Sequence, residues 1–322
     1  MKRVVQILVI AALLAAVLSV AGCVRQEAAN TDDVQSTGKV PAIRVATLQT
    51  DDLLPLWVAE SEGLLKDAGL DVQIQVFQSA QEQVAAVTAG EVDAMMTDMV
   101  VPVQLQAAGT AMRAVTAMQG APAGVVAGAE SGIKTVEDLA GVKTGCSSPT
   151  IIEFIYEKAL REAGVPANQI ETEEIKKLPV RLEMLQSGQI QAAALPWTLW
   201  QLAVSQGAVP VVGIEQDGAY TSTVLEFRDA WLQQDGADDA VGTLLECWDA
   251  AVGKINADPE SYRELLAEKA QLPEALRDSY PVRTYPMSAL PSREQFEEVV
   301  DWMVGRAYIP ETIAYEELVY QR

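Results

Sequence analysis

The stretch DDLLPLWVAESEGLLKDAGLDVQI, residues 51–74, predicts a helix followed by a strand. Pro55 suits the first turn of a helix, and Gly69 suits the residue just after its end, so we expect a helix from about Pro55 to Ala68. The segment VQIQVF at 72–77 alternates polar and apolar residues, which is typical of a strand. Because AIRVATL at 42–48 predicts a strand before the helix, this region indicates a β-α-β unit.

The same order of elements returns later in the chain. Strand and helix patterns alternate again from GVKTG at 141–145 to AAAL at 192–195. The segment AGEVDAMMTDMV (89–100) matches SGQIQAAALPWTL (187–199) in helix stop, turn and strand. We therefore predict an α/β fold with two similar lobes, each built around a mostly parallel sheet.

A helical tail follows the second lobe. The strand-like segment STVLEF (222–227) leads into three helical patterns, which we expect to complete the first lobe. The chain would then cross between lobes twice, near 115–128 and 210–225, through a two-strand hinge. The predicted lobes are residues 41–120 plus 220–322 for the first and 121–219 for the second.

The first residues carry an export signal. Lys2 and Arg3 precede an apolar run from Val4 to Val20, which ends in Ala21-Gly22-Cys23. That ending resembles a bacterial lipobox, so we predict a lipoprotein signal peptide at 1–22 and lipidation (palmitate) of Cys23. An uncleaved membrane anchor is the alternative, although the run is at the short limit for a membrane span.

The polar residues 23–40 show no periodicity and are typical of a flexible tether. The expected location is therefore the cell envelope, with the folded part anchored by lipid on its periplasmic or extracellular face.

The charge of the chain excludes one class of partner. Lys and Arg total 23 and Asp and Glu total 45, which gives a formal net charge of −22 with no histidine. Loss of Lys2 and Arg3 with the signal makes the chain two charges more negative. Because phosphates are repelled by such a charge, we expect no nucleic-acid partner.

The two cysteines after the tether, Cys146 and Cys247, leave two alternatives. They pair as a disulfide in an oxidising compartment, or each is a buried free thiol in its apolar surroundings.

Several motifs together resemble a known family. PLWVAESEGLLKDAGLDVQI (55–74) and AVTAGEVDAMMTD (86–98) are similar to the opening of periplasmic substrate-binding proteins of the nitrate, sulfonate and taurine type. That family also includes binders of a thiamine pyrimidine precursor. The likeness continues through SSPTIIEF (147–154), LEMLQSGQIQAAALP (182–196) and DPESYRELLAE (258–268). It implies a type II periplasmic binding protein fold, a monomer, and delivery of a small solute to an ABC permease.

The strand ends predict where such a solute would bind. In open parallel sheets, ligands lie beyond the carboxyl ends of the strands, where helix N-termini point. Two facing lobes would therefore line one cleft with residues from both. The predicted ligand-binding residues are Gln49, Thr50, Asp51, Asp52, Trp57, Thr97 and Asp98 in the first lobe, and Ser147, Ser148, Thr150, Pro196 and Trp197 in the second.

Each of these residues also has a purely structural explanation. Trp57 and Trp197 either stack on a flat ligand or pack under their own helices. Ser147, Ser148 and Thr150 lie where a helix begins and are suited to capping it, which the resemblance allows alongside ligand contact. Asp51 and Asp98 would likewise cap the helices that follow them.

The acids favour one solute class. No Arg, Lys or His lies among the predicted strand-end residues, whereas Asp51, Asp52 and Asp98 do. Such a cleft suits a nitrogen heterocycle or an amine better than a simple sulfonate or nitrate.

Enzymatic activity is not expected. The sequence has no histidine, no Gly-rich phosphate loop, no metal-ligand spacing and no Gly-x-Ser-x-Gly elbow, so we predict neither cofactor nor metal. Glu153 and Glu174 are isolated carboxylates that we expect to be solvated. The alternative to transport is a ligand-sensing lipoprotein that signals to a membrane receptor.

The lipobox generates the first test. We expect Cys23→Ser to release the mature protein from the membrane fraction, because the variant lacks the thiol that carries lipid. Fractionation of cells that express the parent and the variant checks this. A variant that stays with the membrane as the parent does would support the uncleaved anchor.

Overall fold

The computed structural model describes residues 41–77, 79–119, 123–213 and 221–322. The predicted signal peptide, the tether and Cys23 lie outside these ranges. The described residues all belong to one compact unit.

Ten strands form two five-stranded sheets. The first sheet has the order β2-β1-β3-β10-β4, and the second has the order β7-β6-β8-β5-β9. The strands are β1 (Ile43–Thr47), β2 (Val72–Val76), β3 (Ala94–Asp98), β4 (Met112–Gln119), β5 (Ala123–Ala127), β6 (Lys143–Cys146), β7 (Glu171–Glu174), β8 (Ala192–Pro196), β9 (Val209–Gly213) and β10 (Thr221–Arg228).

The two sheets share one pattern. In the first, β1 pairs in parallel with β2 and β3, and β10 runs antiparallel between β3 and β4. In the second, β6 pairs in parallel with β7 and β8, and β5 runs antiparallel between β8 and β9. Each sheet therefore takes its antiparallel strand from a segment that follows a crossing between lobes. The two-lobe α/β fold is confirmed, with mixed rather than mostly parallel sheets.

Helices cover both sheets. They are α1 (Leu54–Ser61), α2 (Leu64–Asp67), α3 (Ala80–Ala89), α4 (Val100–Ala107), α5 (Ile151–Glu162), α6 (Leu178–Gln186), α7 (Trp197–Ser205), α8 (Asp229–Leu232), α9 (Ala237–Ala257), α10 (Arg263–Lys269), α11 (Arg293–Gly305) and α12 (Tyr315–Leu318).

The helix predicted from Pro55 to Ala68 is broken in two. Gly63 adopts a left-handed φ of 76°, which interrupts the helix between Ser61 and Leu64. The Val58 and Glu60 carbonyls accept hydrogen bonds from Glu62 and Gly63, which ends α1. The apolar residues keep a helical spacing across Gly63, so their pattern alone does not predict that the helix is interrupted there.

The core of the first lobe includes residues from the helical tail. Trp57 in α1 lies in one buried cluster with Leu244 and Trp248 of α9, and with Phe227 of β10. The tail helix α9 therefore packs on the first lobe, as predicted from the sequence for the helical tail.

Helix α11 contacts both lobes. Trp302 meets Phe154 of α5 edge-on, with ring centroids 5.5 Å apart, and its indole N–H donates to Glu157 at 2.9 Å. Phe296 and Val299 share a buried cluster with residues of α4 in the first lobe. The lobe boundaries stay a prediction, because positions 120–121 and 219–220 lie outside the described residues.

Both cysteines of the described part are buried free thiols. Cys146 ends β6 in the second sheet, whereas Cys247 lies in α9 of the first lobe. The free-thiol alternative is therefore the one that the structure supports.

In the described ranges, no helix combines the length and the apolar character needed to cross a membrane.

A close backbone approach in the second sheet generates a stability test. A Cβ added at Gly124 in β5 would lie 2.1 Å from the Val212 carbonyl oxygen in β9. We expect Gly124→Ala to lower the free energy of unfolding by about 1–3 kcal/mol or more, because one strand must shift. Thermal and chemical denaturation measure this change.

Gly213→Ala is the matched control, because Gly213 pairs with Gly124 and its added Cβ would meet nothing within 4 Å. Equal melting temperatures for the two variants would contradict the close approach.

Candidate ligand-binding cleft

The start of α7, at the end of β8, contacts residues of the first lobe at two points. Trp197, the first residue of α7, packs against the buried cluster of the first lobe. The hydroxyl oxygens of Thr198 and Tyr280 lie 3.5 Å apart, and Tyr280 is part of that same cluster. The carboxyl ends of β1 and β8 therefore meet through the segment that contains Tyr280.

Asp51 and Asp52 follow β1 and are both buried, at 3% and 7% exposed. Arg283 donates from Nε to Asp51 at 2.8 Å and from Nη2 to Asp52 at 3.0 Å. Its guanidinium also lies 4.7 Å from the ring centroid of Tyr285, whose hydroxyl donates to the Asp51 backbone carbonyl at 2.9 Å. The two acids are thus held in one buried ion triad with Arg283.

Burial raises the pKa of Asp52 to about 6, and repulsion from Asp51 adds to the shift. The charge of Arg283 and hydrogen bonds from Thr50 and Thr223 oppose it. Asp52 therefore titrates close to neutral pH.

Arg283 corrects the sequence argument about cations. The strand-end segments carry no basic residue, yet the fold brings in an arginine 232 positions after Asp51. Arg283 lies in the irregular segment between Tyr280 and Pro291, which has neither helical nor strand periodicity. No local motif marks it, because its role depends on a contact between distant segments.

Of the two predicted tryptophans, only Trp197 is partly exposed. The Trp57 indole is 1% exposed and lies within the core cluster of the first lobe. Trp197 is half-buried and stacks on Trp200, with ring centroids 4.9 Å apart and planes 18° apart. The burial of Trp57 favours the packing explanation for that residue.

Asp98 ends β3 and is half-buried. Its Oδ1 accepts from the Val100 N–H at 2.8 Å and from the Val101 N–H at 3.3 Å, so it caps α4 as the structural alternative expects. Burial raises its pKa to about 6, against hydrogen bonds from the N–H groups of Val100, Ile151 and Val101. Since Ile151 begins α5, the Asp98 carboxyl group lies near the N-terminus of that helix.

The other predicted residues of the first lobe have different surroundings. Gln49 is half-buried and its amide donates to the side-chain oxygen of Gln271. Thr50 is half-buried, and its conformation is extended just before the turn at Asp51–Leu53. Thr97 is buried inside the sheet, opposite Val224. Thr50, the capping residue of that turn, makes no side-chain capping hydrogen bond, and Asp51 is the first residue of the turn itself.

The turn before α5 is stabilised by its own hydroxyls. Thr150 caps the helix by accepting from the Glu153 N–H at 3.2 Å, and its hydroxyl donates to the Ser147 carbonyl at 2.9 Å. Ser147, Ser148 and Thr150 are all half-buried at the end of β6. Pro196 is also half-buried, at the end of β8. These four residues therefore lie partly accessible at the ends of β6 and β8, where the predicted cleft would have its second-lobe side.

Glu153 is not solvated, contrary to the expectation from sequence. It is 0% exposed, and its Oε1 accepts from the hydroxyls of Ser148 at 2.8 Å and Tyr308 at 2.9 Å. Arg306 lies 3.4 Å from the same oxygen. Burial raises the pKa of Glu153, and the two hydroxyls oppose the shift. Glu174 is exposed, as expected.

Glu226 in β10 is a second buried acid that the sequence did not single out. It is fully buried, and within the described residues neither carboxyl oxygen has a hydrogen-bond partner. Burial, together with the charge of Asp98, raises its pKa well above the usual range. These surroundings favour a neutral carboxyl at this position.

Two cavities have lining residues other than the predicted site residues. One of about 440 Å³ is lined by Glu274, Arg277 and Asp278, and one of about 110 Å³ lies beside α6 and α7. Across the described ranges, no cluster of three or more cysteine or acidic side chains is arranged to hold a metal ion.

A family model described as NMT1/THI5 like matches residues 50–261. No curated protein shows significant sequence similarity to the chain.

Solved structures with the same fold include two binding proteins and an enzyme. The periplasmic aliphatic sulphonate binding protein SsuA from Escherichia coli is 20% identical, with 87% of this chain and 92% of that chain covered and a TM-score of 0.73. The alkanesulfonate-binding protein SsuA from Xanthomonas axonopodis pv. citri, bound to MOPS, is 18% identical, with 88% and 99% covered and a TM-score of 0.73. The desulfurization enzyme DSZB is 15% identical, with 87% and 97% covered and a TM-score of 0.63. At these identities the likeness shows the fold alone.

The different burial of the two tryptophans generates a test. We expect Trp57→Ala to lower the free energy of unfolding by about 3–5 kcal/mol, because it empties a large volume in the core. Trp197→Ala is the matched control on a half-buried indole and should cost clearly less. Denaturant unfolding of both variants compares them, and a mild effect of Trp57→Ala would return that residue to the candidate site.

Proposed function

Because the chain belongs to the NMT1/THI5-like family, we propose that it is an extracytoplasmic solute-binding lipoprotein that serves an ABC importer. It captures a small organic solute between two lobes and presents it to the permease. In this proposal the chain acts as a monomer, Cys23 carries the lipid anchor, and no reaction is catalysed.

The meeting of strand ends from two α/β lobes carries the proposal. Asp98 ends a strand of the first sheet and lies near the N-terminus of α5, the helix that follows β6 of the second sheet. Trp197 and Thr198 begin α7 at the end of another second-lobe strand and contact first-lobe residues. A solute at this place would touch both lobes, so binding would favour the conformation in which they are together.

The fold neighbours support a binding protein without fixing the solute. Two of them are named as sulfonate-binding proteins, and one is named as an enzyme. The proposal of no catalysis rests on two points. The sequence has no histidine, and none of the acids described at the strand ends is paired with a free base.

For the solute we propose a nitrogen heterocycle or an amine. Among the strand-end acids of the first lobe, Asp51 and Asp52 share the one arginine Arg283, whereas Asp98 has no ion-pair partner among the described residues, so acid remains in excess there. The half-buried face of Trp197 offers a flat surface on which a ring can stack. Both features suit a solute that donates hydrogen bonds, whereas a sulfonate needs donors from the protein.

A panel of small molecules tests the proposal. We expect 4-aminopyrimidines or aliphatic amines, rather than methanesulfonate or nitrate, to raise the melting temperature and to shrink the radius in X-ray scattering. A ligand at ~100 times its dissociation constant stabilises the folded state by ~2.7 kcal/mol, which a thermal shift detects. Native mass spectrometry of protein from its own cells provides a check outside the panel.

Sulfonate or nitrate binding with no response to nitrogen compounds would contradict the solute class. If no molecule binds the protein in either measurement, solute capture itself is wrong.

The pH dependence of affinity has an opposite sign for the two solute classes. Asp52 and Asp98 have pKa values of about 6, so both lose their charge as the pH falls from 7.5 to 5. The affinity for an aliphatic amine, which keeps its own charge over this range, should therefore decrease as the pH falls. The affinity for an anion should increase as the pH falls. Titration calorimetry at both pH values measures this, and Asp98→Asn should weaken the dependence.

A further inference from the structure

The N-terminus of α5 is a place where an anion would ordinarily be attracted. Helix N-termini carry N–H groups without partners in the helix, and the helix dipole favours negative charge there. Helix α5 has twelve residues and begins at Ile151, directly after the cleft residues Ser147, Ser148 and Thr150. The binding properties of this end of the cleft therefore depend on which donors of the turn remain free.

Two acids occupy both donors of Ser148. The Ser148 hydroxyl donates to Glu153 Oε1 at 2.8 Å. The Ser148 backbone N–H donates to Glu174 Oε2 at 3.1 Å. Ser148 is thus left with hydroxyl lone pairs, which accept hydrogen bonds from a solute but donate none.

Two other donors of the turn are also used within the protein. The Thr150 hydroxyl donates to the Ser147 carbonyl, and the Glu153 N–H donates to Thr150. Four donors near this helix end are therefore occupied by groups of the protein itself.

The contact of Glu153 departs from ordinary capping. A glutamate at the third position of a helix usually reaches back to the N–H of the capping residue, here Thr150. Glu153 instead accepts from Ser148. Its side chain is 0% exposed, and its Oε2 has no hydrogen-bond partner among the described residues. Burying a carboxylate costs free energy, and helix formation alone does not require it.

We propose that Glu153 and Glu174 are positioning residues that set the solute class, because they turn both donors of Ser148 away from the cleft. Ser148 then presents only acceptors to the solute, so it favours molecules that donate hydrogen bonds and disfavours anions. The inference rests on the proposed function, since it concerns the same cleft.

The proposal is tested by the gain of anion binding when a donor is released. Glu174 is exposed, so Glu174→Ala should leave folding intact while it frees the Ser148 N–H. We expect inorganic sulfate and methanesulfonate to bind this variant about tenfold or more tighter than the parent, since hydrogen bonds to charged groups are worth that much. Titration calorimetry at pH 7.5 measures both anions.

Glu173→Ala is the matched control for charge. Glu173 is the exposed neighbour of Glu174 in β7, and it makes no hydrogen bond to Ser148. Its removal changes the net charge equally but frees no donor, so sulfate affinity should stay within about twofold of the parent, given screening by salt. Equal gains in the two alanine variants would overturn the proposal.

Glu153 is tested by a pair of substitutions. Glu153→Met removes the acceptor of the Ser148 hydroxyl and should increase sulfate affinity, whereas Glu153→Gln retains a carbonyl oxygen for that hydroxyl and should largely restore rejection of sulfate. A purely structural role predicts no such rescue. If Glu153→Met does not fold, the comparison of Glu174→Ala with Glu173→Ala decides alone.

The outcomes separate this inference from the proposed function. The proposed function is judged on the parent protein, by whether any solute binds and closes it. The inference is judged on the ratio of sulfate affinities between variant and parent. Unchanged sulfate affinity in Glu174→Ala would overturn the role of the acids even if the parent binds amines.

Discussion

The buried ion triad of Arg283, Asp51 and Asp52 is the interaction on which the first-lobe side of the cleft depends. Moving a charged group out of water costs several kcal/mol, and only well-placed ion pairs and hydrogen bonds offset that cost. Here two ion pairs at 2.8 and 3.0 Å and the stack on Tyr285 provide that geometry. The triad ties an irregular segment of the tail to the first strand end. Because the triad holds this segment in place, Tyr280 contacts Thr198 at the start of α7 and adds a further side to the candidate cleft.

Periodicity and strand-end logic predicted the framework well. The alternation at 72–77 and the helix stop at Gly90 correspond to β2 and to the end of α3. The strand-like pattern at 222–227 corresponds to β10, but its antiparallel pairing with β3 and β4 was not expected in a mostly parallel sheet. The partners and the direction of a strand depend on tertiary contacts, which the local sequence does not contain.

The positions of the strand-end residues follow from the sequence, whereas their contacts do not. The rule that ligands lie beyond parallel strands pointed to Asp98, which ends β3, and to Ser148, which follows β6; their contact with a ligand stays a prediction. It did not identify Arg283, because a contact across 232 positions leaves no spacing signal. It also missed the orientation of the Ser148 hydroxyl, since isolated acids such as Glu153 look solvated in a sequence. Hydrogen-bond direction is a property of the assembled structure.

The place of β10 in the first sheet sets an order of assembly. β10 lies between β3 and β4, so the first sheet has a gap until residues 221–228 are available. The second sheet uses only strands between residues 123 and 213, an uninterrupted part of the chain. A chain that emerges N-terminus first can therefore complete its second sheet before its first. The early strands β1 to β4 meanwhile expose an unpaired edge, which makes the interval before β10 arrives the period most open to misassembly.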